Sequence, residues 1–173
     1  MIDLSKEFGF QISSFHHGVE AYKIADQLAS ENICGALWAD WWGFKLEAYD
    51  GIEENIALVD RAKGGCAIVH SDSSEGIQRL NQEAAKVIAS SKRVNIEISP
   101  EHAITWITSN PAKALHIDAM TGSLSPGKMA DGTPFSTYAK AEQVYIDGAL
   151  LYDRNNRSLQ PKVDFLIGQE AQP

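Results

Sequence analysis

Three short apolar runs, at 10–15, 33–38 and 66–70, each give way to a stretch whose apolar residues recur near helical spacing, and this alternation limits the folds open to the chain. Phe10 to Phe15 reads as a strand, and Val19, Tyr22, Ile24, Ala25 and Leu28 follow as one face of a helix over 18–30. Ile33 to Trp38 precedes Ile56, Ala57, Leu58 and Val59 within a helical stretch over 52–62. Cys66 to His70 precedes Ile77, Leu80, Ala84, Val87 and Ile88 on a helix over 75–90. Strand followed by helix, three times over, predicts a parallel sheet or barrel, because parallel neighbours need a crossover and the helix supplies it.

Beyond these units, Ser99-Pro100 opens another helix, with Ser99 as N-cap and Pro100 at the first position, where a missing N–H costs nothing. That helix is expected to end near Asn110-Pro111. From Gly122 onward Pro126, Gly127, Gly132 and Pro134 punctuate a loop-rich stretch that marks a boundary. Two apolar runs, 142–146 and 149–152, then flank Asp147-Gly148, the pair a two-residue type I′ hairpin needs for positive φ at both central positions. After Arg154 the polar tail is expected to be loosely held, with Val163, Phe165, Leu166 and Ile167 able to dock.

Composition bounds the partners. With 173 residues, 44% of them hydrophobic, the chain can bury a sizeable core, and a net charge of −8 repels a phosphate backbone, which excludes nucleic acid. No apolar stretch approaches the roughly 20 residues a membrane helix needs. The start lacks a signal peptide's basic and apolar regions, so a native start at Met1 predicts a soluble cytoplasmic product. Cys34 and Cys66, each inside an apolar run, are expected to be buried free thiols.

In parallel α/β folds the C-terminal ends of the strands line the functional face. Three clusters fall there: Ser14-Phe-His16-His17, Ala39-Asp40-Trp41-Trp42, and His70-Ser71-Asp72-Ser73-Ser74-Glu75. Imidazole and carboxylate bind zinc and its neighbours, and a carboxylate beside metal-activated water can take and return its proton. His70 and Asp72, two apart on an extended segment, share a face, whereas adjacent His16 and His17 should point to opposite faces, so that only one looks inward. A plainer account also fits: strand ends carry polar groups in any α/β domain, Asp72 or Ser73 caps the next helix, and Trp41 and Trp42 pack rather than wall a pocket. Asp40, Lys45 and Glu47 form either a pocket rim or a charged helix entry. His102 and His116 are expected to be solvated or packed.

The segments Ser14-Phe-His-His-Gly-Val-Glu-Ala-Tyr-Lys23, Ala39-Asp-Trp-Trp-Gly-Phe-Lys45 and His70-Ser-Asp-Ser-Ser-Glu-Gly-Ile-Gln-Arg-Leu-Asn81 resemble imidazolonepropionase-like enzymes of the amidohydrolase superfamily. So do Thr108-Ser-Asn-Pro-Ala-Lys-Ala-Leu115 and Gly122-Ser-Leu-Ser-Pro-Gly-Lys-Met-Ala-Asp131. The resemblance runs from about Phe8 to Arg154. It implies an α/β fold, the C-terminal portion of a (β/α)8 TIM-type barrel of about three strand-helix units over 1–118, with part of a small β-sandwich carrying the hairpin over 119–154 and a tail over 155–173. It implies hydrolysis of a C–N or related bond in a small-molecule substrate, with one or two divalent ions, zinc foremost, in the complete enzyme. By motif position His17 is the metal-binding histidine ending the sixth strand. Asp72 is the aspartate ending the eighth, binding metal and moving the proton, with His70 assisting it or touching substrate. His16, Trp41, Trp42 and Lys45 are the implied substrate contacts.

The family's early His-x-His pair, its bridging lysine or carboxylate and its fifth-strand histidine all belong upstream of the segment that this chain resembles. Barrels of this type take about 250 residues, so three units cannot close one. Two donors, His17 and Asp72, leave a catalytic zinc one short of its usual three. The short apolar sandwich strand of the family is also missing between Asp131 and Pro134. These departures predict a fragment inactive alone, whose open strand edges favour a homo-oligomer or a complementing N-terminal barrel segment. A non-catalytic α/β module that assembles with itself or such a partner is the alternative.

Overall fold

The computed structural model describes residues 1–126 and 141–160. The missing-strand position between Asp131 and Pro134, the punctuating Gly127, Gly132 and Pro134, and the tail residues Val163, Phe165, Leu166 and Ile167 lie outside the described residues.

In chain order the elements are α1 (Ile2–Phe8), β1 (Ser14–His16), α2 (Ala25–Ser30), β2 (Cys34–Leu37), α3 (Asn55–Arg61), β3 (Ala67–Val69), α4 (Leu80–Ser91), α5 (Pro100–Ala103), α6 (Ser109–Ala114), β4 (Gln143–Ile146) and β5 (Ala149–Asp153). Strands β1, β2 and β3 form a parallel sheet in that order, so each crossover passes through the helix between neighbours. The strands are shorter than the apolar runs that announce them. Among the described residues, no helix is long and apolar enough to cross a membrane.

Alternation along the strands divides the core in two. Leu37, Ala67 and Val69 face the helices and join Leu28, Ile56, Val59, Ala84, Val87 and the fully buried Trp106 in the main cluster. Cys34, Ala36, Cys66 and Ile68 occupy the opposite face with Ala114 of α6. The register pairs Gly35 with Ala67, which sets the preceding residues side by side on that second face. There Cys34 and Cys66 form a disulfide, with Cα atoms 4.5 Å apart, instead of the free thiols the sequence suggested. The pairing depends on strand register across 32 residues, and local sequence carries no such information.

The predicted helices break at their first turns. Residues 21–24 and 76–79 wind as 3₁₀ turns before α2 and α4. Ser99 caps α5 as expected, its Oγ accepting from the His102 N–H at 3.2 Å, and Pro100 sits at the first position. That helix ends earlier than Asn110-Pro111: α5 stops at Ala103 and residues 104–107 wind as a 3₁₀ turn. A break at Thr108 (φ −133°, ψ −85°) starts α6, which places Pro111 in a first turn, where its missing N–H breaks no helical bond. Asn110 uses that position to donate from Nδ2 to the Ala67 carbonyl at 2.8 Å, covering one polar group of β3. The hairpin is antiparallel, and its turn has Asp147 at φ 50° and Gly148 at φ 77°.

Candidate functional site

β1 and β3 deliver their polar ends to the same rim. His17 follows β1 directly, its N–H donating to the Ala36 carbonyl of β2 at 3.0 Å. At φ 57° it leaves the extended conformation, and its carbonyl then accepts from the Val19 N–H at 2.7 Å. A left-handed backbone at a side chain other than glycine costs on the order of 1 kcal/mol, a strain that characteristically collects at functional positions.

The kink also overturns the opposite-face expectation for the histidine pair. Strict alternation holds only while both residues are extended, and the rings of His16 and His17 instead lie 5.9 and 4.9 Å from the His70 ring. His16 remains exposed and lines the groove between β1 and α1.

His17, His70 and Asp72 each offer a ligand atom, and these atoms lie within 4.8 Å of one another. His17 Nδ1 is 3.5 Å from Asp72 Oδ2, and His70 Nδ1 is 3.8 Å from Asp72 Oδ1. The carboxylate thus faces one imidazole with each oxygen. Asp72 is not the helix cap of the plainer account. Nor does Ser73 hold the cap position: its Oγ accepts from the Glu75 and Gly76 N–H groups at 3.3 and 3.0 Å in the preceding turn, while Glu75 and Arg79 stand at the caps without side-chain cap bonds. His70 thus lies within reach of the pair given by motif position, and three side chains rather than two could hold an ion.

Burial pushes the His70 imidazole down to about 4; the neighbouring His17 acts in the same direction, Asp72 opposes it, and His16 adds a smaller downward contribution. The ring is therefore neutral near pH 7, the state in which a nitrogen lone pair is free to bind a cation. Its Nε2 is buried and finds no hydrogen-bond partner among the described residues, as does Trp38 Nε1.

Trp38, which sequence reasoning counted only as strand, backs the cluster. Its ring stacks on Trp41 at 5.5 Å and on His70 at 5.8 Å, and lies 5.0 Å from the His17 ring. The available signal was positional: Trp38 follows β2 as His70 follows β3. Trp41 is brought against this platform, and Lys45 Nζ lies 5.8 Å over Trp38 and 5.2 Å over Phe44. Trp42 spends its indole N–H on the Tyr49 carbonyl at 2.8 Å. A cavity of about 20 Å³, space for a single water, lies between His17, Trp38, Trp42 and Asn55. Asp40 lines this cavity, as the pocket-rim reading expects. It pairs with Lys86 of α4 at 2.8 Å, and Lys86 also holds Glu83 at 2.7 Å.

A second missed residue is Asn55, which bonds the segment following His17 and is buried. His102 is about half exposed and faces Asp60 at 2.8 Å, while His116 follows α6 in a left-handed turn.

The model of the Amidohydrolase family matches residues 50–163, the greater part of the chain. The chain belongs to the amidohydrolase family. Amidohydrolase tasK of Hapsidospora irregularis is 29% identical over 163 residues, covering 88% of this chain and 16% of that protein. The solved amidohydrolase from Thermotoga maritima MSB8 is 33% identical and superposes with a TM-score of 0.70 over 88% of this chain and 40% of that one. An adenosine deaminase from Xanthomonas campestris with bound zinc shares the fold at 17% identity and a TM-score of 0.65, again over 40% of its length. This amidohydrolase segment thus spans well under half of the relatives it matches.

Proposed function

We propose that this chain is the metal-binding and proton-transferring part of a hydrolase that cleaves non-peptide C–N or related bonds in small molecules, inactive until a further barrel segment or a second copy completes the site. The observation that carries the reading is the convergence of His17, His70 and Asp72 within 4.8 Å at the ends of β1 and β3. Two donors each about 2.1 Å from one tetrahedral zinc lie roughly 3.4 Å apart. The His17 Nδ1–Asp72 Oδ2 separation of 3.5 Å meets that figure; His70 Nδ1 stands 3.8 Å from the other oxygen, Oδ1, and the three ligand atoms lie within 4.8 Å of one another. Two imidazoles with one carboxylate suit zinc or a similar divalent ion.

Such an ion supplies Lewis acidity and makes water a competent nucleophile at neutral pH. Asp72, half exposed with an oxygen toward each imidazole, is positioned to take the proton from the attacking water and hand it to the leaving nitrogen. His70, stacked on Trp38, holds its Nδ1 3.8 Å from Asp72 Oδ1 and serves as the third donor. Trp38 and Trp41 give one wall of a substrate pocket, with Lys45 over Trp38 and the His16 ring 5.9 Å from that of His70; Trp42 reaches the cavity beside His17 but spends its N–H on Tyr49.

In the complete enzyme, Asp72→Asn keeps the shape of the side chain and removes the base. The expected loss in kcat/KM on an amide or cyclic amide substrate is about 10²- to 10⁴-fold. Full activity in that variant rules the mechanism out.

A further inference from the structure

We propose that Asn55 is the positioning residue that holds His17 in its cation-ready geometry, an inference that rests on the reading of His17 as a metal donor. Asn55 is the first residue of α3 and only 4% exposed. Its Oδ1 accepts from the Tyr22 N–H at 2.8 Å, and its Nδ2 donates to the Gly18 carbonyl at 2.9 Å and the Val19 carbonyl at 3.0 Å. All three bonds fall on the segment that begins immediately after His17.

The chemistry requires a carboxamide. Only an Asn or Gln side chain presents two donors and an acceptor from one planar group, and Asn reaches this backbone from a single Cβ with little freedom to lose. The left-handed turn at His17 is therefore tied on both sides. Before it, the His17 N–H continues the ladder to Ala36; after it, Asn55 fixes the carbonyls of Gly18 and Val19. Gly18 lies close beneath, where an added Cβ would stand 3.2 Å from Ala21 Cβ and 3.3 Å from Leu37 Cδ2, so the turn is pressed against the core as well.

Asn55 is itself braced. Ser90 Oγ of α4 donates to the Glu53 carbonyl at 2.9 Å, and Arg93 holds the carboxylates of Glu53 and Glu54. The donor on β1 is thus aimed from α3 and α4, elements that pack behind the sheet.

The test compares wild type, Asn55→Ala and Asn55→Asp, with Asp60→Ala as a control that destabilises α3 without touching the His17 turn. In the metal-free protein, imidazole ¹⁵N and ¹³C resonances of His17 and amide exchange over 18–22 are read by NMR; zinc affinity is then measured by titration. Asn55→Ala is expected to shift or broaden the His17 ring signals and speed exchange over 18–22 at least tenfold relative to Ile68 and Val69. Its zinc Kd should rise at least tenfold, while Asp60→Ala changes neither His17 readout and leaves Kd within twofold. If Asn55→Ala does not fold, Asn55→Asp carries the comparison, since it keeps the acceptor for Tyr22 and loses both donors. Unchanged His17 signals and exchange in the Asn55 variant, or changes equal to those of Asp60→Ala, overturn the proposal. Absence of zinc uptake by wild type defeats the metal reading instead, and the metal-free spectra still decide the role of Asn55.

Discussion

Removing the Asp60 carboxylate should loosen the attachment of α5 and the turn after it to α3 by an amount that can be worked from two contacts. Asp60 lies on α3 with its side chain 10% exposed. Oδ1 accepts from the Trp106 indole N–H at 2.8 Å, and Oδ2 faces His102 Nε2 at 2.8 Å. Trp106 is 0% exposed, so Asp60→Ala strands its N–H in an apolar core, at a cost of about 1–3 kcal/mol. His102 is 53% exposed, and its pairing contributes under about 1 kcal/mol. The expected loss is therefore about 1–4 kcal/mol, or roughly 2–16 °C in melting temperature for a chain of this size. Asp60→Asn retains an acceptor for Trp106 and should lose about 1 kcal/mol or less, and His102→Ala less than that. Urea denaturation of the three variants checks the order. An Asp60→Ala variant within about 0.5 kcal/mol of His102→Ala refutes the claim that the buried indole dominates the junction.

Two further outcomes follow from particular contacts. Cys34 and Cys66 close a loop of 32 residues, which on chain-entropy grounds contributes about 3–4 kcal/mol; reduction or Cys34→Ala should lower stability on that scale, and two thiols reacting per chain in non-reducing denaturant contradict the pairing. At Gly65 an added Cβ would meet the carbonyl oxygens of Val59, Asp60 and Ala62 at 2.2, 2.7 and 2.9 Å. Gly65→Ala must move backbone, for about 1–3 kcal/mol in a melting experiment, and a neutral result removes that steric argument.

Sequence periodicity carried the order of strands and helices because each crossover unit is local: an apolar run, then a helical face. The hairpin was equally legible, since positive φ at Asp147 and Gly148 is a property of those two residues. What escaped were features set by juxtaposition. The Cys34–Cys66 bond depends on the register of β2 against β3. The early end of α5 and the separate helix α6 containing Pro111 depend on the backbone break at Thr108, which the sequence does not announce. At the site, strand-end position and family resemblance pointed to His17, His70 and Asp72, but alternation misjudged His16 because the kink at His17 ends the strand. Trp38 and Asn55 were passed over as strand and helix residues; their roles appear only when β2 and α3 stand beside the His17 turn.

The most direct test of the account is calorimetric titration of the metal-free protein with zinc. One ion per chain is predicted, with affinity falling at least tenfold in each of His17→Ala, His70→Ala and Asp72→Asn and unchanged in His102→Ala. No uptake of zinc, or uptake indifferent to His17 and Asp72, contradicts it.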